Sequence, residues 1–299
     1  MRRGCGRIPR SLGNVNPDMI ADVELLYRQH LTEADRQLIA QVTNRGSSDG
    51  SIDTNDISAL LAHPALEAAI FEDPVVAGPL AAASPFLTFA VAVHRTGAHL
   101  ERSTFVNEWI GPRQRIPVFN VGQLRDLLAG PVRRFFLVEL LASFTHVASG
   151  VTWERTRRGW RRRRFSELDP LRLAGLLEVV SPFEQAGVYR RLGDLALFLT
   201  GVFPDHTSVT RLAGIDAVRL LRATGLGPDP ASELDGLALL EYLGARWYRR
   251  AAGSAKGTPV GSFTAAAEMG ERFGDARRFL NVVTDRYLFP LRERWFGRR

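Results

Sequence analysis

The sequence predicts an all-α protein, a multi-helix bundle with one small inserted β-hairpin at about residues 151–165. Three observations predict it. Apolar residues recur at three- and four-residue spacing through most of the chain. Cap-then-proline starts, Asp169-Pro170 and Ser181-Pro182, stand before apolar runs. One segment breaks the helical period, with Val, Thr and Trp interleaved with arginine around a glycine. Of 299 residues, 45% are hydrophobic and 24% charged, enough apolar material for a sizeable core.

The elements follow in chain order. Asp18–His30 repeats Ile20, Val23, Leu26 and Tyr27 along one helical face. Thr32 opens a second helix, with Asp35 three positions later in a capping-box-like arrangement. Residues 46–55, polar and rich in Gly and Ser, read as a loop. Two short helices, Asp56–Ala62 and Ala65–Phe71, are divided at Pro64, and residues 74–85 show no clear period. Pro85–Leu100 reads as a buried helix. Ser103 is placed to cap a short helix reaching Trp109, and Gly111–Phe119 reads as an extended connection. Val121–Ala129 is a short helix ended by Gly130-Pro131. Pro131–Ser149 is apolar around most of its circumference, so it is expected as the central core helix.

Next come two expected strands, Val151–Thr156 and Trp160–Phe165, turning at Arg157-Arg158-Gly159. Period-two alternation groups Val151, Trp153 and Arg155 on one side of the first strand. On the second, Trp160, Arg162 and Arg164 share one side, and Arg161, Arg163 and Phe165 the other. Two strands alone are marginal, so this ribbon must lean on helices. Pro170–Val180, Pro182–Phe203, Ser208–Thr224, Glu233–Ala252 and Phe263–Phe289 are the remaining helices. Residues 240–248 and 265–276 resemble one tetratricopeptide-type helical hairpin. The long 253–261 connection and the lack of a second copy favour a plain helical pair, since such solenoids need about three repeats. The chain divides into a disordered lead (1–17), an N-terminal helical part (18–83) and a central core with the hairpin (84–207). A C-terminal helical part (208–299) is separate from that core or continuous with it.

Formal net charge is +7. Residues 1–150 carry 14 arginines against 15 acids, whereas the nineteen residues 151–169 carry seven arginines against three. Lys256 is the only lysine, so the preference for arginine runs through the whole chain. What singles out the hairpin is density: seven of the ten residues from Arg155 to Arg164 are arginine, with Trp153 just before them and Trp160 among them. Cys5 is the only cysteine, which excludes an internal disulfide or a multi-cysteine metal site. The basic lead has no apolar h-region and the apolar runs are far shorter than a membrane span, so a cytoplasmic location is expected.

Two functional readings follow. In the first, the chain is a binding or regulatory protein. Arg155, Arg157, Arg158, Arg161, Arg162, Arg163 and Arg164, with Trp153 and Trp160, engage an acidic partner: nucleic acid, an acidic protein surface or a second copy. The competing structural reading packs the tryptophans on helices and pairs the arginines with Glu154, Glu167 and Asp169. In the second, Glu139, His146 and Asp194 line a polar pocket of a helical-bundle enzyme or ligand-binding protein. Glu139 and His146, seven apart, would share a helical face, and both carboxylates sit in apolar runs where burial demands a partner. Arg133, Arg134, Arg190 and Arg191 are the expected partners of Glu139. No HExxH, repeated Glu-x-x-His, Walker or dinucleotide-binding pattern occurs. The sequence therefore names neither a metal nor a cofactor and leaves open whether the chain is an enzyme.

Overall fold

The structure, a computed structural model, describes residues 17–46, 56–72, 83–156, 159–209, 214–225, 236–254 and 260–290. The expected disordered lead therefore lies almost wholly outside the described residues, as do most of the 46–55 and 74–85 stretches.

The described residues are mostly helical, interrupted by two β-hairpins. Helices α1 (Pro17–His30) and α2 (Glu33–Gly46) form the N-terminal pair. The cap expected at Thr32 is reciprocal: Thr32 N donates to Asp35 Oδ2 at 2.9 Å and Asp35 N to Thr32 Oγ1 at 3.1 Å. Asp35 Oδ1 also accepts from Ser84 N at 2.7 Å, tying this corner to the start of the next long helix. Two short helices follow, α3 (Ile57–Leu61) and α4 (Pro64–Glu67), the latter running on through a π-helical turn to Glu72. Helix α5 (Pro85–Arg102) is capped by the Ser84 hydroxyl and buried along most of its length.

Beyond α5 the structure differs from expectation. Ser103 does not open a helix; it closes α5, its N–H bonded to Leu100 O and its hydroxyl to His99 O. Residues 106–118 form an antiparallel hairpin, β1 (Val106–Gly111) and β2 (Gln114–Val118), with a bulge between Trp109 and Gly111. Its turn places Arg113 at φ 58°. Pro117 is tolerated because both strands of a two-stranded ribbon are edges.

Helix α6 (Val121–Leu128) leads into α7 (Pro131–Ser143). Helix α7 is apolar and buried as expected, but it stops at Ser143, short of Ser149. The hydroxyls of Ser143 and Thr145 bond back to the carbonyls of Leu140 and Ala142. Phe144 turns away to stack on Phe198 at 4.2 Å. The second hairpin is the expected one: β3 (Ser149–Thr156) and β4 (Gly159–Ser166), antiparallel, with Gly159 at φ 112° where a side chain would be strained.

Helix α8 (Pro170–Ala174) starts on the Asp169 cap and ends in a 3-10 turn. Helix α9 (Gln185–Val202) is buried along most of its length. It packs along α12 (Gly236–Ser254) and against α14 (Phe273–Val283). Close approach is secured by glycines: a Cβ on Gly244 would come within 2.5 Å of the Phe273 ring and 2.8 Å of Ala196. Helices α10 (Pro204–Val209), α11 (Gly214–Ala223) and α13 (Val260–Glu271) complete the bundle, and α14 ends in a π-helical turn over Thr284–Leu288. Buried side chains from Val23 to Tyr287 form one continuous apolar cluster. No helix among the described residues is long and apolar enough to cross a membrane.

Candidate functional site

The β3–β4 register pairs Val151 with Arg164, Trp153 with Arg162 and Arg155 with Trp160. Directly opposed residues of an antiparallel pair lie on the same face. The two groups read separately from the sequence are thus one face, on which arginine and tryptophan positions alternate diagonally. Thr152, Glu154, Arg161 and Arg163 occupy positions on the other. Arg157 and Arg158, at the turn, lie outside the described residues, as do the side chains of Arg155, Trp160, Arg161, Arg163 and Arg164.

Three side chains of the first face are described, and all are exposed: Val151, Arg162, and Trp153 with 60% of its surface in solvent. Arg162 makes no hydrogen bond or ion pair among the described residues. The competing expectation that both tryptophans pack on helices therefore does not hold for Trp153. Two of the acids expected to neutralise the ribbon have partners elsewhere. Asp169 caps α8 and pairs with Arg172 at 3.0 Å. Glu167 pairs with Arg191 of α9 at 3.0 Å and accepts from Ala148 N at 3.1 Å. Glu167 thereby clasps the foot of the ribbon to the helical body.

The same arginine marks the edge of a polar cleft. Glu139, Ser143, Arg190, Arg191 and Asp194 line a hollow of about 300 Å³ between α7 and α9. Arg190 Nη2 donates to Glu139 Oε2 at 2.8 Å, and Arg190 Nε lies 3.8 Å from Asp194 Oδ2. Arg191 Nη1 donates to Ser143 Oγ at 2.7 Å, and its guanidinium lies over the Phe144 ring at 4.0 Å. At the floor, the Tyr248 hydroxyl donates to Asp194 Oδ1 at 2.8 Å. Burial pushes the Asp194 carboxyl up to about 6, against the opposing pull of Arg190 and the Tyr248 hydrogen bond. Burial and the neighbouring Asp194 push the Tyr248 hydroxyl well above its ordinary value, so it stays a donor.

Of the three expected pocket residues, Glu139 and Asp194 are brought together through Arg190. His146 is not. It lies past the end of α7, exposed, with Nδ1 bonded to its neighbour Thr145 at 3.0 Å. The seven-residue spacing failed because the helix it assumed ends three residues earlier. Tyr248 was missed; nothing local in the sequence connects it to a carboxylate 54 residues away.

His94, Glu108 and Asp205 are committed to structure. His94 is buried and bonded to Tyr27 at 2.9 Å, and burial followed by the charge of Arg134 lowers its pKa to about 3. Glu108 pairs with Arg278 at 3.0 Å, and Asp205 accepts the Trp109 indole N–H at 2.5 Å. Among the described residues, no three His, Asp or Glu side chains converge as metal ligands. Comparison with family models, with curated proteins and with solved structures finds no match for this chain.

Proposed function

We propose that this chain is a cytoplasmic binding or regulatory protein that uses its arginine-rich hairpin to engage an acidic macromolecule, nucleic acid before an acidic protein surface or a second copy. The observation that supports this reading is the pairing of exposed Trp153 with exposed Arg162 on one ribbon face. With 60% of its surface in water, the indole is accessible for stacking. Beside a guanidinium it matches the two needs of a single-stranded nucleic acid, a stacking surface and a charge for phosphate.

The test is binding of labelled single-stranded oligonucleotides across a salt series. Replacing Arg161–Arg164 with Gln should lower the log–log salt slope by about 3, at about 0.7 per lost phosphate contact. Trp153→Ala should weaken binding by about 1–3 kcal/mol with the slope retained. Unchanged affinity in both variants would refute the reading.

A second reading rests on the cleft: a helical-bundle ligand-binding protein or enzyme acting through Glu139 and Asp194. Its support is the buried Asp194 carboxyl raised into the working pH range at the floor of a polar hollow. Native mass spectrometry of the purified protein tests it, and a spectrum without any co-purified small molecule counts against it.

A further inference from the structure

A second hollow, larger than the cleft, lies far from the ribbon in sequence and serves neither reading. It holds about 570 Å³ between the C-terminal end of α5, the start of β1 and the π-helical turn that ends α14. That volume falls within the range of small-molecule sites. Its walls include His99, Arg102, Phe105, Arg115, Asp285 and Arg286.

The charges in and behind this wall do not balance. Arg115 grips Asp285 with two bonds, Nε to Oδ2 at 2.9 Å and Nη2 to Oδ1 at 3.1 Å, so that carboxylate is used up. Behind the wall, Glu67 is shared. It accepts from Arg95 Nε at 2.6 Å and from the Tyr287 hydroxyl at 2.5 Å, and it reaches Arg286 at 3.5 Å. Four guanidinium groups, those of Arg95, Arg102, Arg115 and Arg286, thus face two carboxylates. The excess falls on Arg102, which is exposed and makes no hydrogen bond or ion pair among the described residues.

Arg102 is also not needed where it stands. A cation in the last turn of a helix ordinarily serves the orphan carbonyls. Here Arg125 does so, donating to Leu100 O at 2.9 Å, Glu101 O at 3.2 Å and Ser103 O at 2.8 Å. The negative end of α5 is covered, and Arg102 is left over at the cavity. Next to it, Phe105 is 46% exposed and tilts against Phe119, 76% exposed, with ring centroids 5.9 Å apart. A flat apolar surface therefore borders a cationic hollow.

We propose that this cavity binds a small molecule carrying an oxyanion on a flat apolar body, with the oxyanion held by Arg102 and Arg286 and the body laid on Phe105. His99 fits such a ligand as a neutral donor, because burial and then the Arg286 charge depress its pKa. Phosphate and carboxylate share this chemistry, so the test uses both.

The full chain is titrated by NMR with phenyl phosphate, benzoate and uncharged benzyl alcohol. Small probes of this kind bind with Kd on the order of millimolar, so titrations extend to about 10 mM. Saturable binding of phenyl phosphate, benzoate or both, without benzyl alcohol, is expected, and the tighter of the two identifies the oxyanion. Arg102→Gln should weaken that binding about tenfold, since charged hydrogen bonds are lost, and Phe105→Ser several-fold. Both residues are exposed, so thermal denaturation should show both variants folded. Arg162→Gln on the ribbon should leave probe binding unchanged, which separates this site from the proposed hairpin function. Absence of saturable binding, equal binding of benzyl alcohol, or full affinity in Arg102→Gln would overturn the proposal.

Discussion

Asp194→Asn is the substitution whose effect can be worked furthest from the structure. The carboxyl lies at the floor of the α7–α9 cleft, where burial holds it at about 6 against an ordinary 3.8. The folded protein therefore binds its proton more tightly than the unfolded chain does. Between pH 3.8 and 6 the native state carries a proton at Asp194 that the unfolded state has released, so stability from this group falls as pH rises, by about 1.4 kcal/mol per unit. Across the window the loss comes to about 3 kcal/mol, and it persists at pH 7. Asparagine keeps an oxygen for the Tyr248 hydroxyl and the shape of the site, and Arg190 retains Glu139. The variant should thus gain stability over the parent by about 1.4 kcal/mol per pH unit from pH 4 to 6 and level off above that. Urea denaturation of both proteins at pH 4, 5, 6 and 7, with unchanged m-values, reads the difference directly. A difference independent of pH would refute the reasoning. So would one that favours the parent as pH rises, since that is the behaviour of a carboxylate stabilised in its charged form.

His94 should show the opposite sign. Its folded pKa of about 3 lies below the unfolded 6.5, so its contribution is lost as pH falls through that range. His94→Gln should cost about 1–2 kcal/mol at pH 7 through the altered Tyr27 bond and recover that loss in acid, checked by the same denaturation series. Between about pH 4 and 6 the two groups offset each other, so the parent should show a flatter profile than either variant. Gly244→Ala should destabilise by about 1–3 kcal/mol, because its Cβ would meet Phe273 and Ala196 well inside contact distance; calorimetry should show a lowered Tm.

Much of the frame could be read locally. The cap at Asp169 and the turn at Gly159 are encoded in a few neighbouring residues, and both appear as expected. The β1–β2 hairpin was hidden because its support is distant. Trp109 is held by Asp205, 96 residues on, and Arg115 by Asp285, 170 residues on. Its turn also lacks an Asn-Gly or Asp-Gly signal, relying on Arg113 at positive φ. The cleft was half legible for the same reason. A carboxylate in an apolar helix demands a cation, and Arg190 was among the four named for Glu139. Which neutral hydroxyl would reach Asp194 was not encoded nearby. Past the end of α7, Phe144 stacks on Phe198 of α9, a partner far along the chain that no local signal indicates.

The clasp at Glu167 fastens the foot of the ribbon to the helical body and leaves its outer face out of that contact. The ribbon rests on α8 and is fastened at its foot, while its eight-residue strands run about 24 Å outward from that point. Changes along its outer face leave the packing of α7, α9 and α12 untouched. Selection can therefore exchange arginine, tryptophan or other residues there one at a time without rebuilding the body. On the proposed binding role, what the ribbon recognises can drift while the scaffold that presents it stays the same.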